Sequence, residues 1–309
     1  MSTTRPLRFG YQLRPANLDD CINEAKAAEV AGFDVVTIPD HISDSLASPM
    51  MVLAAIARET SKIRLGTFVL NNEMRNPVQL AWEAATLDRL SGGRFELGIG
   101  AGHTPQEFAA TGLSYDPARI RKQRLAEAVD IMRRLFDGET VDHSGQHYTI
   151  TGAAIEVPQQ TRLPIMVAGN GDGLLTHAGG IADIVGLNGL GKRFDDGHRH
   201  AVKFGDDWLA HQVATVAAAA KDRSQAPELN ALVQRVTITD DRNATAAEDH
   251  KEIANLTVDE MLNTPYLAIG THEEIATHLH RMRDQWGISY FVARNLDDMK
   301  IIMSIARSQ

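Results

Sequence analysis

The 309-residue chain has a single cysteine, Cys21. One thiol excludes an intrachain disulfide and any cysteine-built metal cluster. Its place inside a predicted helix makes it a small buried hydrophobe rather than a nucleophile. Positive charge is also scarce: 31 Lys and Arg against 40 Asp and Glu leave a net charge of −9, and no basic stripe stands ready to neutralise phosphates, so no nucleic-acid partner is expected. No stretch approaches the roughly 18 apolar residues of a membrane span. Met1-Ser2-Thr3-Thr4-Arg5-Pro6 leads into a strand without an apolar signal core, and a cytoplasmic location follows, with no membrane contact. Neither Gly-x-Ser-x-Gly nor a Walker sequence is present, which withdraws support from serine hydrolysis and phosphoryl transfer. What remains, 43% hydrophobic and 23% charged, is an ordinary globular composition that suits a small-molecule site.

The apolar run 33–39 reads as a buried parallel strand, which places Asp40-His41 at its C-terminal end, where α/β folds put their chemistry. The same rhythm runs along the chain. Strands are predicted over 7–13, 33–39, 62–70, 94–99, 163–168, 181–187, 230–239 and 288–293. Asn17 caps the first helix, which turns Leu18, Ile22, Ala25 and Ala28 to one face and stops at Gly32. Ser48-Pro49 opens a helix through Met51, Leu53, Ile56 and Ala57; Asn76-Pro77 opens one with Leu80, Ala84 and Leu87 inward, ended by Gly92-Gly93. Met50, Met51 and Trp82 read as core packing rather than a cofactor box. Further helices are predicted over 119–136, after Gly169-Asn170-Gly171, over 206–220, around 248–262, over 271–286 and from Asp297. The segment 139–160 is an excursion that suggests a short hairpin, and the glycine- and charge-rich 188–205 reads as a mobile loop at the mouth of a site. Eight βα steps make the fold class α/β, a (β/α)₈ TIM barrel with insertion segments, as one domain over 1–309. A doubly wound sheet with a second domain is the alternative, but no linker-like break divides the chain.

Barrel closure would gather the strand ends on one rim: Gln12 and Arg14, Asp40 and His41, Asn71, Asn72, Glu73 and Arg75, the loop 100–103, and the loop 169–173. His41 is a candidate for proton transfer, the alternative being a hydrogen-bonded core histidine. Gly98-Ile99-Gly100-Ala101-Gly102 lacks the Rossmann context of a dinucleotide fingerprint; either its glycines let a flat ring approach the backbone or they make a tight turn. His103 is either a second proton-transfer group or a surface residue. Gly169-Asn170-Gly171 at a helix start favours a phosphate, held by exposed amides and the helix dipole, although Asp172 would oppose that charge unless it points away. His198, Arg199 and His200, with His211, lack the supported geometry of a metal site, and no metal is expected.

Several runs are recognisable: 38–41 (Ile-Pro-Asp-His), 65–70 (Leu-Gly-Thr-Phe-Val-Leu), Arg75-Asn76-Pro77, 86–94 (Thr-Leu-Asp-Arg-Leu-Ser-Gly-Gly-Arg) and 97–102. On them the chain resembles the bacterial luciferase-like monooxygenase superfamily, in the branch that uses the deazaflavin coenzyme F420. The resemblance implies a cofactor ring in the barrel mouth, backed by a third-strand bulge whose non-prolyl cis peptide would be Phe68-Val69. It implies cofactor contacts at Asp40, Asn71, Ala101, Gly102 and Gln106, a phosphate on Gly169, Asn170 and Gly171, and proton transfer at His41, with His103 as a second catalytic candidate. FMN is the alternative cofactor, for a monooxygenase, and a non-catalytic cofactor-binding barrel is a third reading. A homodimer is expected. Two departures matter. A tryptophan of the branch's glucose-6-phosphate dehydrogenases falls at Ser45, and their catalytic glutamate falls at His103, so sugar-phosphate oxidation is not expected. Lys192 and Arg193 are candidate substrate contacts.

Overall fold

A computed structural model of the chain describes residues 5–14, 16–43, 46–193, 200–250 and 256–309. Eight parallel strands close into a barrel. The first, Arg8–Gln12, pairs with the second, Val35–Ile38, and with the eighth, Ile288–Ala293. The third, Arg64–Thr67, joins the second to the fourth, Phe95–Gly100. Ile165–Ala168, Ile184–Leu187 and Glu228–Leu232 complete the circuit. The doubly wound alternative is thereby excluded. Strand alternation divides the core. Val35, Met166, Ile184, Tyr290 and Val292 form a small inner cluster, with Phe68, Val69 and Leu232 packed against it. Their neighbours Val36, Val167, Val185 and Phe291 face outward into the large layer between strands and helices.

Local signals act where they stand in the chain. The Asn17 side chain accepts from the amides of Asp19 and Asp20, and Gly32 at φ 85° ends that helix. Asn76 caps the helix Pro77–Leu90 through the amides of Val78 and Gln79; each such cap is worth about 1 kcal/mol. The predicted hairpin is present, Val141–Ser144 against Thr149–Ala153. Among the described residues no helix is long and apolar enough to cross a membrane.

The structure corrects the sequence reading at four places. The third strand, predicted as continuous over 62–70, stops at Thr67 and resumes as Leu70–Asn71, paired to Ile99 and Gly100, with the cis peptide at Phe68–Val69 where the resemblance places it. The predicted seventh strand is two. Glu228–Leu232 belongs to the barrel, whereas Arg235–Ile238 leaves it to pair with Leu267–Gly270. The split occurs at Val233 and Gln234, whose amides bond to different neighbours, the Val292 and Tyr266 carbonyls. The segment read as a mobile loop contains an antiparallel pair, Leu190–Arg193 with His200–Val202. Finally, Leu18, Met51 and Trp82 are exposed, by 46%, 66% and 60%, and are not core. In the helix Pro49–Glu59 the buried stripe is Met50, Leu53, Ile56 and Ala57, and Met51 lies one step, about 100°, around from it.

Candidate active site

At the rim, the loop after the second strand turns Asp40 into the protein. Both of its oxygens are taken by Arg75, Nη1 to Oδ2 at 2.5 Å and Nη2 to Oδ1 at 3.0 Å, and the Asn71 amide donates to Oδ2 at 2.8 Å. A bidentate, buried pair of this kind fixes geometry. Asp40 thus ties the rim after the second strand to the rim after the third.

His41 follows, with its side chain 42% exposed, and Nδ1 lies 2.7 Å from Oε1 of Glu107. Glu107 is buried on the short helix Pro105–Ala110 that the fourth strand's loop opens. This hydrogen bond raises the His41 pKa above its usual value, against the opposing effect of burial. The His103 ring meets the His41 ring edge-on, with centroids 5.9 Å apart at 85°. Gln106 is exposed, one residue before Glu107.

The broken third strand explains the glycines of the fourth. The Thr67 hydroxyl donates to the Gly98 carbonyl and accepts from the Gly98 amide, both at 2.8 Å. A Cβ on Gly98 would run into the Thr67 carbonyl, and one on Gly100 would meet Val69 Cγ2 at 2.9 Å. These two glycines therefore lie within a strand and admit the neighbouring strand, rather than making a turn. Gly102, at φ 66°, abuts the Asn71 carboxamide. Gln12 donates to the Phe68 carbonyl at 3.2 Å and is itself held by Arg294 at 2.7 Å. Arg121 grips the carbonyls of Ala101, at 2.8 Å, and of Gly102, with its guanidinium 4.4 Å from the Tyr115 ring centre.

Two features fit the flat, phosphorylated cofactor that the resemblance implies. Asn71 is 4% exposed; its Oδ1 accepts from the Glu73 amide, but its buried Nδ2 has no partner among the described residues. A buried donor left unmade costs about 1–3 kcal/mol, so a ligand acceptor there would be stabilised. Across the mouth, Gly169 and Gly171, at φ 157° and 90°, lead into the helix Asp172–Ile181. Asn170 donates to Asn188 at 3.0 Å, and Lys122 Nζ donates to the Asn170 carbonyl at 2.5 Å. Asp172 turns away to His211, Oδ1 to Nε2 at 2.8 Å, which removes the objection its charge raised. Burial and the nearby Arg121 cation push the Lys122 pKa down. Beside Asp40 and His41 a cavity of about 460 Å³ opens toward Leu46, Met74, Gln79 and Glu83, a volume that suits a small organic molecule.

Sequence reasoning missed Glu107, Arg121 and Lys122, and left Arg75 on the rim without a role. Thr104-Pro105-Gln106-Glu107 held a usable signal, a helix-opening proline followed by an acid in the first turn. Nothing local marked Lys122, which meets its carbonyl 48 residues away. Ser45, His198 and Arg199 lie outside the described residues, as do the side chains of Lys192, Arg193 and His200. Among the described residues no group of three or more His, Cys, Asp or Glu is placed to hold a metal.

Comparison with known proteins adds a family. The chain is 35% identical over 191 residues to an F420-dependent glucose-6-phosphate dehydrogenase of Kineococcus radiotolerans, covering 58% of this chain and 56% of that protein. It is 33% identical over 191 residues to one of Mycobacterium avium, covering 57% and 56%. The chain thus spans a little over half the length of these curated relatives. Among solved structures, a coenzyme F420-dependent tetrahydromethanopterin reductase from Methanopyrus kandleri superposes with a TM-score of 0.76 over 98% of this chain and 99% of that one, at 19% identity. An F420-dependent secondary alcohol dehydrogenase, solved with an F420–acetone adduct, gives 0.75 over 98% and 100%, at 20% identity. At such identities these two establish the fold. The family described as luciferase-like monooxygenase matches residues 3–290, nearly the whole chain, and the protein belongs to that family.

Proposed function

We propose that the protein is an F420-dependent oxidoreductase that reduces an electron-poor C=C, C=N or C=O bond of a small organic substrate. The observation that carries this reading is the buried Asn71 donor, without a partner among the described residues and set in the mouth between the Asp40–Arg75 clamp and Gly102. It asks for a hydrogen-bond acceptor, which the edge of a deazaflavin ring supplies. When bound, F420 contributes a hydride at C5 of its ring. The names of the relatives support that choice of cofactor.

The chain's own residues have three tasks. Asn71, Ala101 and Gly102 hold the ring, and Gly169, Asn170 and Gly171, with Lys122 beside them, hold its phosphate. The rim and cavity keep the reacting carbons within roughly 3–3.5 Å of each other. His41 delivers the proton that accompanies the hydride, and the carboxylate beside it favours its protonated form. His103 in place of the dehydrogenases' glutamate argues for a substrate other than a sugar phosphate.

Cofactor titration tests this. The protein should quench or shift F420 fluorescence and leave FMN fluorescence unchanged. Asn71→Ala should weaken F420 binding about tenfold, the value of one hydrogen bond. Tight FMN binding, or binding of neither, overturns the reading.

A further inference from the structure

We propose that Glu107 is a positioning residue for proton transfer: it keeps Nδ1 of His41 as a hydrogen-bond donor and so assigns Nε2 as the atom that exchanges a proton with the substrate. The inference rests on the oxidoreductase reading and deepens it by naming the acting atom.

A carboxylate can only accept, so an imidazole bonded to it through Nδ1 keeps that proton in both charge states. Nε2 is then the nitrogen that gains and loses a proton. The anchor is firm: Glu107 is buried, its amide donates to the Thr104 carbonyl at 3.1 Å, and its carbonyl accepts from the Thr111 hydroxyl at 2.8 Å. Among the described residues no Lys or Arg pairs with its carboxylate, and the His41 imidazole is the ionisable group that meets it. A buried carboxylate matched to nothing but an imidazole is a poor stabilising device and a good orienting one.

The groups facing His41 from each packed element are Glu107 on its helix, Asp40 on the same rim, Arg294 after the eighth strand, and the edge-on ring of His103. Asp40 is neutralised by Arg75, and Arg294 opposes Glu107. In the reduction, hydride adds to one atom of the double bond and Nε2–H gives its proton to the other. His41 is left neutral with Nδ1–H still on Glu107, and solvent returns the proton to Nε2.

The test compares wild type with Glu107→Gln, and uses isotope-labelled histidine NMR on cofactor-free protein together with steady-state kinetics. In Glu107→Gln the His41 midpoint should move to lower pH and its neutral form should become a mixture of tautomers. Turnover should fall about tenfold, as for loss of a supporting partner, while F420 affinity is retained. Glu107→Asp, which keeps the charge, should recover part of each and serves if the Gln variant does not fold. A folded Glu107→Gln protein with unmoved midpoint, tautomer and turnover overturns the inference. Failure of wild type to bind F420 overturns the oxidoreductase reading instead, and the two are distinguishable because the NMR arm needs no cofactor.

Discussion

His41 and His278 are the same side chain in two regions of this fold, and their surroundings drive them in opposite directions. His278 lies on the helix His272–Trp286, buried, with Nε2 donating to the Thr264 carbonyl at 2.8 Å and Nδ1 accepting from Arg281 at 2.8 Å. Both nitrogens are spent in the neutral form, and burial pushes its pKa down to about 4. His41 has one nitrogen spent on a carboxylate and a side chain partly open to the mouth, and its pKa is raised. The ends of the barrel repeat this contrast. On the floor, Arg8 bonds Glu228 at 2.7 Å and also Glu96, which Arg64 shares, with the Arg8 guanidinium 4.3 Å from the Tyr290 ring centre. There Arg8, Arg64, Glu96 and Glu228 find their partners in one another. At the mouth, the Asn71 carboxamide has a buried donor with no partner among the described residues and the His41 side chain is 42% exposed, which is what a ligand needs.

The sharpest way to break the contrast is at the floor. Glu96→Ala strips Arg8 and Arg64 of their shared carboxylate and should cost about 3–5 kcal/mol in urea unfolding, with the F420 affinity of the folded protein unchanged. A loss under about 1 kcal/mol would make the floor a screened surface network instead.

Next in size is the pH dependence of His278. Its folded pKa of about 4 lies below the unfolded 6.5, so the unfolded state binds the extra proton first. The stability it contributes is therefore complete above about pH 6.5 and is lost as pH falls toward 4, on the order of 3 kcal/mol in all. His278→Gln should flatten that part of the stability–pH curve; an unchanged slope would place the titration elsewhere. The smallest expected effect sharpens the mouth: His41→Ala should lower turnover at least about tenfold while leaving F420 affinity and thermal stability close to wild type. Unaltered turnover would remove His41 from proton transfer.

Much of the scaffold was legible because its signals are local. Asn17, Asn76 and Gly32 act on amides and carbonyls within four residues, and apolar periodicity read over a short window marks each strand and helix. The misreadings share a cause as well. Residues 230–239 carry apolar side chains at Ala231, Leu232, Val233, Val236 and Ile238 with no glycine or proline among them, and nothing in the run says that the chain changes partners at Val233-Gln234. Met51 and Trp82 are apolar residues on the polar side of their helices, which composition alone does not reveal. The glycines of 98–102 were visible, but their reason was not, because it lies in the backbone of the third strand.

By itself, the sequence determined the alternation of eight strands with helices and the placing of Asp40-His41 just past a strand's C-terminal end, because spacing and caps work over a few residues. Only the tertiary structure decided that Asp40 belongs to Arg75, that Lys122 stands behind the glycine loop, and that Glu107, 66 residues along, holds His41. Those pairings exist because closing the barrel brings distant strand ends to one rim and shields them from water, where a carboxylate must find a partner.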